Sequence, residues 1–273
     1  MPELPEVETV RKGLLDFLPL KINKVERTPE LASILKTEEF SLKGLTISSL
    51  ERKGKVLIFH LGNGKTVVSR FGMAGSWEVS EEKNKKKHNH LQLHCTSSQG
   101  AVFLSYVDAR RFGKMHIGYQ EVTKRELAKV GVDVTTEEFN EKVLRDIFKK
   151  YPDRQIKPLL LEQEKLAGIG NYLACEILAH CKVRPTRRCK TITKEETKKM
   201  VWATKKVVSE SIEKNGLTFT KTTGYRDVLG NAGEFFDGLV VFRQKLCKMC
   251  GDGPVKKIVL ATRGTFYCPQ CQK

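Results

Sequence analysis

The sequence predicts an α+β protein with more than one domain, and three observations support this prediction. Residues 20–120 contain short runs rich in β-branched residues, separated by Gly, Asn and Ser, which is typical of strands and turns. From about residue 132, apolar residues instead recur with the period of an amphipathic helix. Residues 247–271 begin and end with C-x-x-C pairs, which predict a metal-stapled hairpin.

Composition points to a polyanionic partner. The 273 residues include 49 Lys+Arg against 32 Asp+Glu, which gives a formal net charge of +17. An excess of this size favours binding to nucleic acid or to an anionic surface. No apolar run approaches the roughly 18 residues that a membrane span needs, and the amino terminus lacks the pattern of a secretory signal. We therefore expect a cytoplasmic nucleic-acid-binding protein.

The chain opens with MPELPEVETV, which has two interpretations. One is a frayed terminus leading into a helix, with Pro5 in the first turn and the glutamates at its positive end. The other is a reactive terminus, because removing Met1 would expose the secondary amine of Pro2 beside the Glu3 carboxyl group. Either interpretation predicts a helix that ends at Pro19. The apolar residues of one face of this helix are Val7, Val10, Leu14, Phe17 and Leu18.

The β-rich segment predicts a sandwich or a barrel. Its clearest strand candidates lie at residues 55–60, 66–68 and 101–104, each followed by turn residues. The charged run EEKNKKKHNH at residues 81–90 is expected to be a solvated hairpin tip, with a specific contact as the alternative.

Two capping boxes predict helices in the next segment. Thr135 with Glu138 precedes one apolar stripe, and Thr193 with Glu196 opens a helix that ends at residues 215–216, Asn-Gly. Between them, Pro158 suits the start of a helix, the glycines at 168 and 170 interrupt it, and Asn171 can cap the next. A glycine turn between helices leaves N–H groups that can bind phosphate, although it can equally be only a connection.

The cysteines fall into two groups. Four are scattered and are expected to be reduced thiols: Cys95, Cys175, Cys181 and Cys189. The other four have the spacing of a tetrahedral zinc site, with two disulfides or a redox motif as alternatives: Cys247, Cys250, Cys268 and Cys271. Basic residues surround this second group, which suits a module that contacts a phosphate backbone.

In this order of motifs the whole chain resembles the formamidopyrimidine-DNA glycosylases, relatives of the endonuclease VIII type. The resemblance rests on PELPEVE, R-K-G-K, F-G-M-A-G-S-W, D-A-R-R-F-G, I-K-P-L-L-L, G-I-G-N and C-P-Q-C-Q. It implies a DNA cleft between a β-sandwich domain and a helical domain with a helix–two-turn–helix motif and a zinc-finger hairpin. The expected divisions are 1–131 for the catalytic β-sandwich, 132–216 for the helical domain and 217–273 for a lesion loop with the zinc finger.

The resemblance also implies catalytic roles. Pro2 is the expected nucleophile, Glu3 the proton donor, and Glu6 a supporting residue. An α-amino group has a pKa of about 8, against about 10.4 for lysine, so more of it is neutral at physiological pH. Attack on C1′ would displace the damaged base and leave an iminium, which acidifies the neighbouring sugar carbon and permits strand cleavage by elimination.

DNA-contacting residues follow from the same resemblance. Enzymes that act on a base inside a duplex extrude it and fill the gap. The expected filler residues are Met73, Arg110 and Phe112. Phosphate contacts are expected for Lys55 and Arg263, which would also donate protons during elimination, and for a further set of residues: His90, Lys157 and Asn171.

Several residues differ from the family pattern in ways that bear on which DNA lesion the enzyme prefers. Arg70 stands where the family often has histidine, Ala109 where it has proline, and Glu162 where it has aspartate, while residues 171–173 look more like the endonuclease VIII branch. Residues 218–236, which correspond to the loop over 8-oxoguanine, align poorly.

The expected function is excision of oxidised purines, namely formamidopyrimidines and 8-oxoguanine. Cleavage of the strand by β,δ-elimination is expected to follow. Preference for oxidised pyrimidines is one alternative, and a non-catalytic zinc DNA-binding protein is another. The enzyme is expected to be a cytoplasmic, nucleoid-associated monomer that binds damaged double-stranded DNA and no membrane, with one structural Zn²⁺ and no organic cofactor.

Overall fold

The structure is a computed structural model that describes residues 2–37, 41–219 and 224–273. The chain divides into two compact units. Unit 1 consists of Met1–Lys129 and Asn215–Gly233, and unit 2 consists of Val130–Lys214 and Glu234–Lys273.

The described residues of unit 1 form eight antiparallel strands, with two α-helices flanking them. In chain order the elements are α1 (Leu4–Leu15), β1 (Leu20–Arg27), β2 (Thr46–Lys53), β3 (Val56–Leu61), β4 (Thr66–Arg70), β5 (Ser76–Ser80), β6 (Asn89–Ser97), β7 (Gly100–Val107), β8 (Lys114–Gly118) and α2 (Gln120–Leu127). The strands form one hydrogen-bonded sheet in the order β5-β7-β6-β1-β2-β3-β4-β8.

This sheet folds over itself into a sandwich. Phe59 on β3 and Trp77 on β5 are far apart in the strand order, yet their ring centroids are 4.8 Å apart. The apolar side chains of both halves therefore face one core, which α1 completes with its fully buried Val7, Val10 and Leu14. The predicted β-sandwich is confirmed, and so is the apolar face of the first helix at these three residues. The predicted helix end at Pro19 is wrong, because α1 ends at Leu15, and Phe17 and Leu18 pack against the core from the segment that follows it.

The strand register brings several connections to one end of the sandwich. Val56, which begins β3, pairs with Arg70 at the end of β4, and Arg70 pairs with Lys114 at the start of β8. Val107, at the end of β7, pairs with Ser76, which begins β5. The β2–β3 turn, the β4–β5 loop and the β7–β8 loop consequently lie at the same end.

Unit 1 also includes a segment that follows the helices of unit 2 in the chain. The Val79 N–H donates to the Val228 carbonyl at 2.8 Å, and Tyr225 stacks on Phe71 with ring centroids 6.3 Å apart. The expected three-part division assigns these residues to the zinc-finger segment, whereas the structure groups 215–233 with the sandwich. Within the proposed lesion loop, residues 220–223 lie outside the described part of the chain.

Unit 2 is mainly helical and ends in a hairpin. Its elements are β9 (Val132–Asp133), α3 (Glu141–Lys150), α4 (Ile156–Leu160), β10 (Leu166–Ala167), α5 (Asn171–His180), α6 (Lys194–Glu213), β11 (Lys256–Leu260) and β12 (Arg263–Tyr267). The strands β9 and β10 pair in parallel, and β11 and β12 pair as an antiparallel hairpin.

One predicted capping box is confirmed and the other is wrong. Thr193 caps α6, since its hydroxyl accepts the Glu196 N–H at 3.1 Å. Thr135 caps no helix, because its N–H and its hydroxyl both donate to the Asp133 carboxylate, and Asn140 caps α3 instead. A local carboxylate competes here with the helical pattern.

Glycine and asparagine residues mark two further helix boundaries, and one of these lies one residue away from its predicted position. The turn after α6 has Asn215 at φ 55° and Gly216 at φ 80°, as expected for a helix stop. Gly170 holds the cap position of α5, so Asn171 is its first helical residue rather than its cap. Among the described helices, none is both long and apolar enough to cross a membrane.

Candidate active site and nucleic-acid interface

The amino-terminal residues are packed into unit 1 rather than frayed. Pro2 is buried, and Glu3, at the cap position of α1, is only 3% exposed. The Glu3 N–H donates to Glu6 Oε2 at 2.7 Å, which satisfies one of the open donors at a helix start. Met1, whose removal the nucleophile hypothesis requires, lies outside the described residues.

Glu6 joins this terminus to a distant segment of the same unit. Its Oε1 atom accepts the Leu217 N–H at 2.8 Å, while its Oε2 atom holds Glu3. Gly216 permits this approach, because its φ is 80° and a Cβ there would lie 2.8 Å from Glu6 Oε1. The Glu6 carboxylate is 2% exposed, and both of its oxygens accept backbone N–H groups.

Glu8 and Arg52 connect α1 to the turn that bears Lys55. Arg52 donates from Nε to Glu8 Oε2 at 2.8 Å and from Nη1 to the Gly54 carbonyl at 3.1 Å. Burial by itself would raise the pKa of Glu8, but its bonds to Arg11 and Arg52 hold that pKa below its ordinary value. The ionised pair therefore links α1 to Gly54, the residue that precedes half-buried Lys55.

The three expected filler residues occupy two loops at the end of the sandwich described above. Met73 lies in the β4–β5 loop, and Arg110 and Phe112 lie in the β7–β8 loop. The Arg110 guanidinium lies 4.8 Å from the centre of the Phe112 ring, which is 53% exposed. A Cβ on Gly72 would lie only 2.4 Å from the Phe112 carbonyl carbon, so the two loops touch through their backbones.

His90 lies behind this end rather than on its surface. Its ring is 4% exposed, and Nε2 is 3.0 Å from the Asp108 carbonyl oxygen while Nδ1 is 3.1 Å from Thr28 Oγ1. Both ring nitrogens thus have partners within unit 1. This geometry suits support of the Asp108 loop.

Arg70, one of the departures from the family pattern, is used inside unit 1. Its Nη2 atom donates to the Glu126 carbonyl at 2.9 Å and lies 3.4 Å from the carboxylate of the same residue. Glu126 is only 3% exposed and also contacts Lys129 at 2.6 Å. Arg70 therefore ties the end of β4 to α2.

In unit 2, a chain of contacts links α4, α5 and the hairpin. Lys157 is fully buried, and its ammonium donates to Asn171 Oδ1 at 2.7 Å. Asn171 Nδ2 donates to the Gly264 carbonyl at 2.9 Å, next to exposed Arg263. These contacts bring together three predicted phosphate-binding residues, of which Lys157 is buried below the other two.

A pocket of about 480 Å³ lies beside Asn171. Its walls combine cationic, amide and aromatic groups, which suits a phosphate and a sugar more than an apolar ligand. The lining residues are Asn171, Phe242, Arg243, Gln244, Lys257, Gly264 and Phe266.

The four C-terminal cysteines form a metal site. Their sulfur atoms all lie within 4.8 Å of one another, with Cys247–Cys271 at 4.0 Å and Cys250–Cys268 at 3.8 Å. Tetrahedral Zn²⁺ with Zn–S bonds of about 2.3 Å requires sulfurs about 3.8 Å apart. The residues therefore fit one structural zinc, and four thiolates leave no open position for a catalytic water.

Glu176, for which the sequence predicted no role, holds the segment that leads into the zinc hairpin. The side chain is fully buried on α5, and its carboxylate accepts the N–H groups of Val240, Val241 and Phe242 at 2.7, 3.0 and 2.7 Å. Burial raises the pKa of Glu176 despite these three bonds. A carboxylic residue inside the apolar stretch N-Y-L-A-C-E-I-L was the available signal.

The described residues combine a buried Pro2–Glu3 segment at the start of α1, two loops at one end of the sandwich and a four-cysteine hairpin. These features are those of the base-excision DNA glycosylases. Family models match along the chain: the formamidopyrimidine-DNA glycosylase N-terminal domain at residues 1–115, the H2TH domain of the same enzymes at 130–223, and the zinc finger found in FPG and IleRS at 245–273. The chain belongs to the formamidopyrimidine-DNA glycosylase family.

Individual relatives agree with this placement. The formamidopyrimidine-DNA glycosylase of Listeria monocytogenes serotype 4b is 36% identical over 282 residues, and that of Histophilus somni strain 2336 is 35% identical over 284, with full coverage of both chains in each case. The Lactococcus lactis Fpg in complex with DNA containing an abasic site superimposes with a TM-score of 0.88 at 29% identity, again over both whole chains. MutM in complex with DNA that contains carbocyclic 8-oxo-G superimposes with a TM-score of 0.87 at 29% identity.

Proposed function

We propose that this chain is a bifunctional DNA glycosylase and abasic-site lyase that removes oxidised purines in base-excision repair. The observation that carries the proposal is the buried Pro2–Glu3 terminus, tied through Glu8 and Arg52 to the end of the sandwich that presents Lys55 and the filler loops. Membership of the family supports the same reaction and damaged double-stranded DNA as the substrate.

In the proposed reaction, the Pro2 nitrogen attacks C1′ as the bond to the damaged base breaks, and Glu3 protonates the sugar ring oxygen. The resulting iminium draws electrons from the C2′–H bond, so loss of that proton expels the 3′-phosphate and a second elimination expels the 5′-phosphate. Lys55 and Arg263 are proposed to bind the flanking phosphates and to donate protons in these steps. Glu6 holds the Glu3 backbone in place.

Binding is proposed to follow the distribution of cationic and amide groups. Asn171 and Arg263 contact phosphates, while Lys157 and His90, both buried, orient their neighbours. Met73, Arg110 and Phe112 fill the space that the flipped nucleotide leaves. The protein is proposed to act as a cytoplasmic, nucleoid-associated monomer.

A borohydride trapping experiment tests the nucleophile. Protein that starts at Pro2 should form a reduced covalent adduct with abasic-site DNA. A form that keeps Met1 has an amide in place of the amine, so it should bind the same DNA without forming the adduct. An adduct with the blocked form would show that the Pro2 nitrogen is not required as the nucleophile.

Lesion choice needs a separate measurement, because residues 171–173 look like the endonuclease VIII branch. Duplexes that each carry one defined lesion should be cleaved faster at 8-oxoguanine and formamidopyrimidine than at oxidised pyrimidines. The reverse order would place the preference with oxidised pyrimidines.

A further inference from the structure

Beneath the two filler loops lies a buried tyrosine. Tyr106, on β7, is fully buried, and its ring packs on Trp77 with centroids 5.2 Å apart. A Cβ added to Gly75 would lie 2.2 Å from the Tyr106 hydroxyl oxygen, and one added to Gly113 would lie 1.9 Å from it. The hydroxyl thus touches the backbone of the loop with Met73 and the backbone of the loop with Phe112.

Next to this hydroxyl, Asp108 shapes the second loop. Its carboxylate is fully buried and accepts three backbone N–H groups, from Arg110 at 3.1 Å, Arg111 at 2.9 Å and Gly113 at 2.8 Å. Arg111 has φ 55°, a left-handed conformation that a side-chain-bearing residue adopts only at a cost. The three bonds hold the loop in that shape.

The hydroxyl group itself requires an explanation. Within the described residues it makes no hydrogen bond of ordinary geometry, although the Asp108 carboxylate is close by. Burial and the Asp108 charge raise the pKa of Tyr106 far above its ordinary value, so the group stays neutral. A buried hydroxyl without a partner destabilises a fold, and phenylalanine would fill the same space without that cost.

We infer that Tyr106 and Asp108 are positioning residues for gap filling, with the Tyr106 oxygen acting as a spacer that sets the separation of the Met73 loop from the Arg110–Phe112 loop. Gly75 and Gly113 provide the room for that oxygen, and Gly72 lets the two loops meet above it. The filler groups therefore enter DNA as one preformed wedge. This inference rests on the proposed glycosylase function.

The first test is Tyr106→Phe on two duplexes. One carries 8-oxoguanine opposite cytosine, and the other carries it opposite an abasic-site analogue. In the second duplex, extruding the lesion leaves no unpaired base on the opposite strand for Arg110 to contact. Under single-turnover conditions, misplaced filler groups should slow excision from the first duplex by roughly tenfold. Excision from the second duplex should change little.

Val102→Ala is the matched control, because Val102 lies buried on the same strand, away from the loops. It should lower the melting temperature without changing the ratio of the two rates. An equal effect of Tyr106→Phe on both duplexes, or no effect on either, would overturn the inference. If the wild-type protein excises from neither duplex, the proposed function fails instead.

The second test uses a steric conflict, because a methyl group added at Gly113 would occupy the space of the Tyr106 hydroxyl oxygen. Gly113→Ala should slow excision from the paired duplex, and Tyr106→Phe in the same chain should restore much of the rate, because the closest atom to the new Cβ is the one removed. Gly75→Ala should not be rescued, since its Cβ would also lie 2.5 Å from the Phe71 carbonyl oxygen. Rescue of both variants, or of neither, would contradict a spacer role.

Discussion

The Glu6 carboxylate and the Leu217 backbone N–H are joined by a hydrogen bond of 2.8 Å between residues 211 positions apart. The other oxygen of Glu6 holds the Glu3 N–H, so one buried side chain fixes both the terminus and the segment that follows the helices of unit 2 in the chain. In the proposed reaction this bond positions Glu3 and Pro2. It is a relationship that can be tested by changing one atom.

Glu6→Gln should destabilise unit 1 and slow base excision. An amide has only one oxygen to offer two N–H donors, so one buried donor loses its partner, at a cost of about 1–3 kcal/mol. Thermal unfolding and single-turnover excision measure the two effects. Glu82→Gln, at an exposed position, is the control and should change neither. Unchanged stability in Glu6→Gln would show that the two backbone contacts contribute nothing.

Glu3→Gln should separate base removal from strand cleavage. The variant keeps the amine of Pro2 but loses the proton that Glu3 delivers to the sugar ring oxygen as the base departs. Excision of 8-oxoguanine should therefore fall much more than cleavage at a preformed abasic site, where the base has already left. Equal losses on the two substrates would remove Glu3 from the protonation step.

Lys55→Ala should weaken binding to every duplex and flatten its salt dependence. Each neutralised phosphate releases counterions, so losing one contact should reduce the slope of log K against log salt by roughly one unit. Lys21→Ala removes the same charge from an exposed position at the start of β1, at the opposite end of the sheet, and should leave the slope unchanged. A loss confined to one lesion would indicate that Lys55 reads the base.

Cys268→Ser should release the metal and weaken DNA binding. With three thiolates the site is incomplete, and the hairpin that carries Arg263 loses its support. Metal content and affinity for abasic-site DNA are the measurements. Cys189→Ala, a buried cysteine outside the cluster, should retain one equivalent of zinc. Full metal content and affinity in Cys268→Ser would refute a four-cysteine site.

Glu8 should contribute stability that depends on pH. Its pKa is lower in the folded protein than its ordinary value, so the contribution is present above the unfolded-state pKa of about 4.3 and is lost as the pH falls through the folded-state pKa. Glu8→Gln should thus lower the melting temperature at pH 7, and the difference from wild type should shrink in acid. Glu137→Gln, whose carboxylate is 97% exposed, should show no such trend. A difference that persists at low pH would mean that the ionised form does not carry the effect.

Local patterns in the sequence were sufficient for several features. The apolar period placed Val7, Val10 and Leu14 on a buried face of α1, and the Thr193 capping box opened α6, because both depend on residues within a few positions of each other. The spacing of the C-x-x-C pairs likewise encoded a cluster whose sulfurs meet the distances of a zinc site. The Thr135 box failed for a local reason too, since Asp133 takes its hydrogen bonds.

Only the tertiary structure decided how the site is supported. The pairing of Arg52 with Glu8 spans 44 residues, and Lys157, a residue type that is usually exposed, is fully buried beneath Asn171. No periodicity encodes such contacts, because their partners are selected by the packing of elements that are remote in the chain. The sequence by itself thus determined the residue types of the site and its metal ligands. The fold determined which of those side chains are exposed, as Phe112 and Arg263 are, and which, like His90, are buried with a partner at each ring nitrogen.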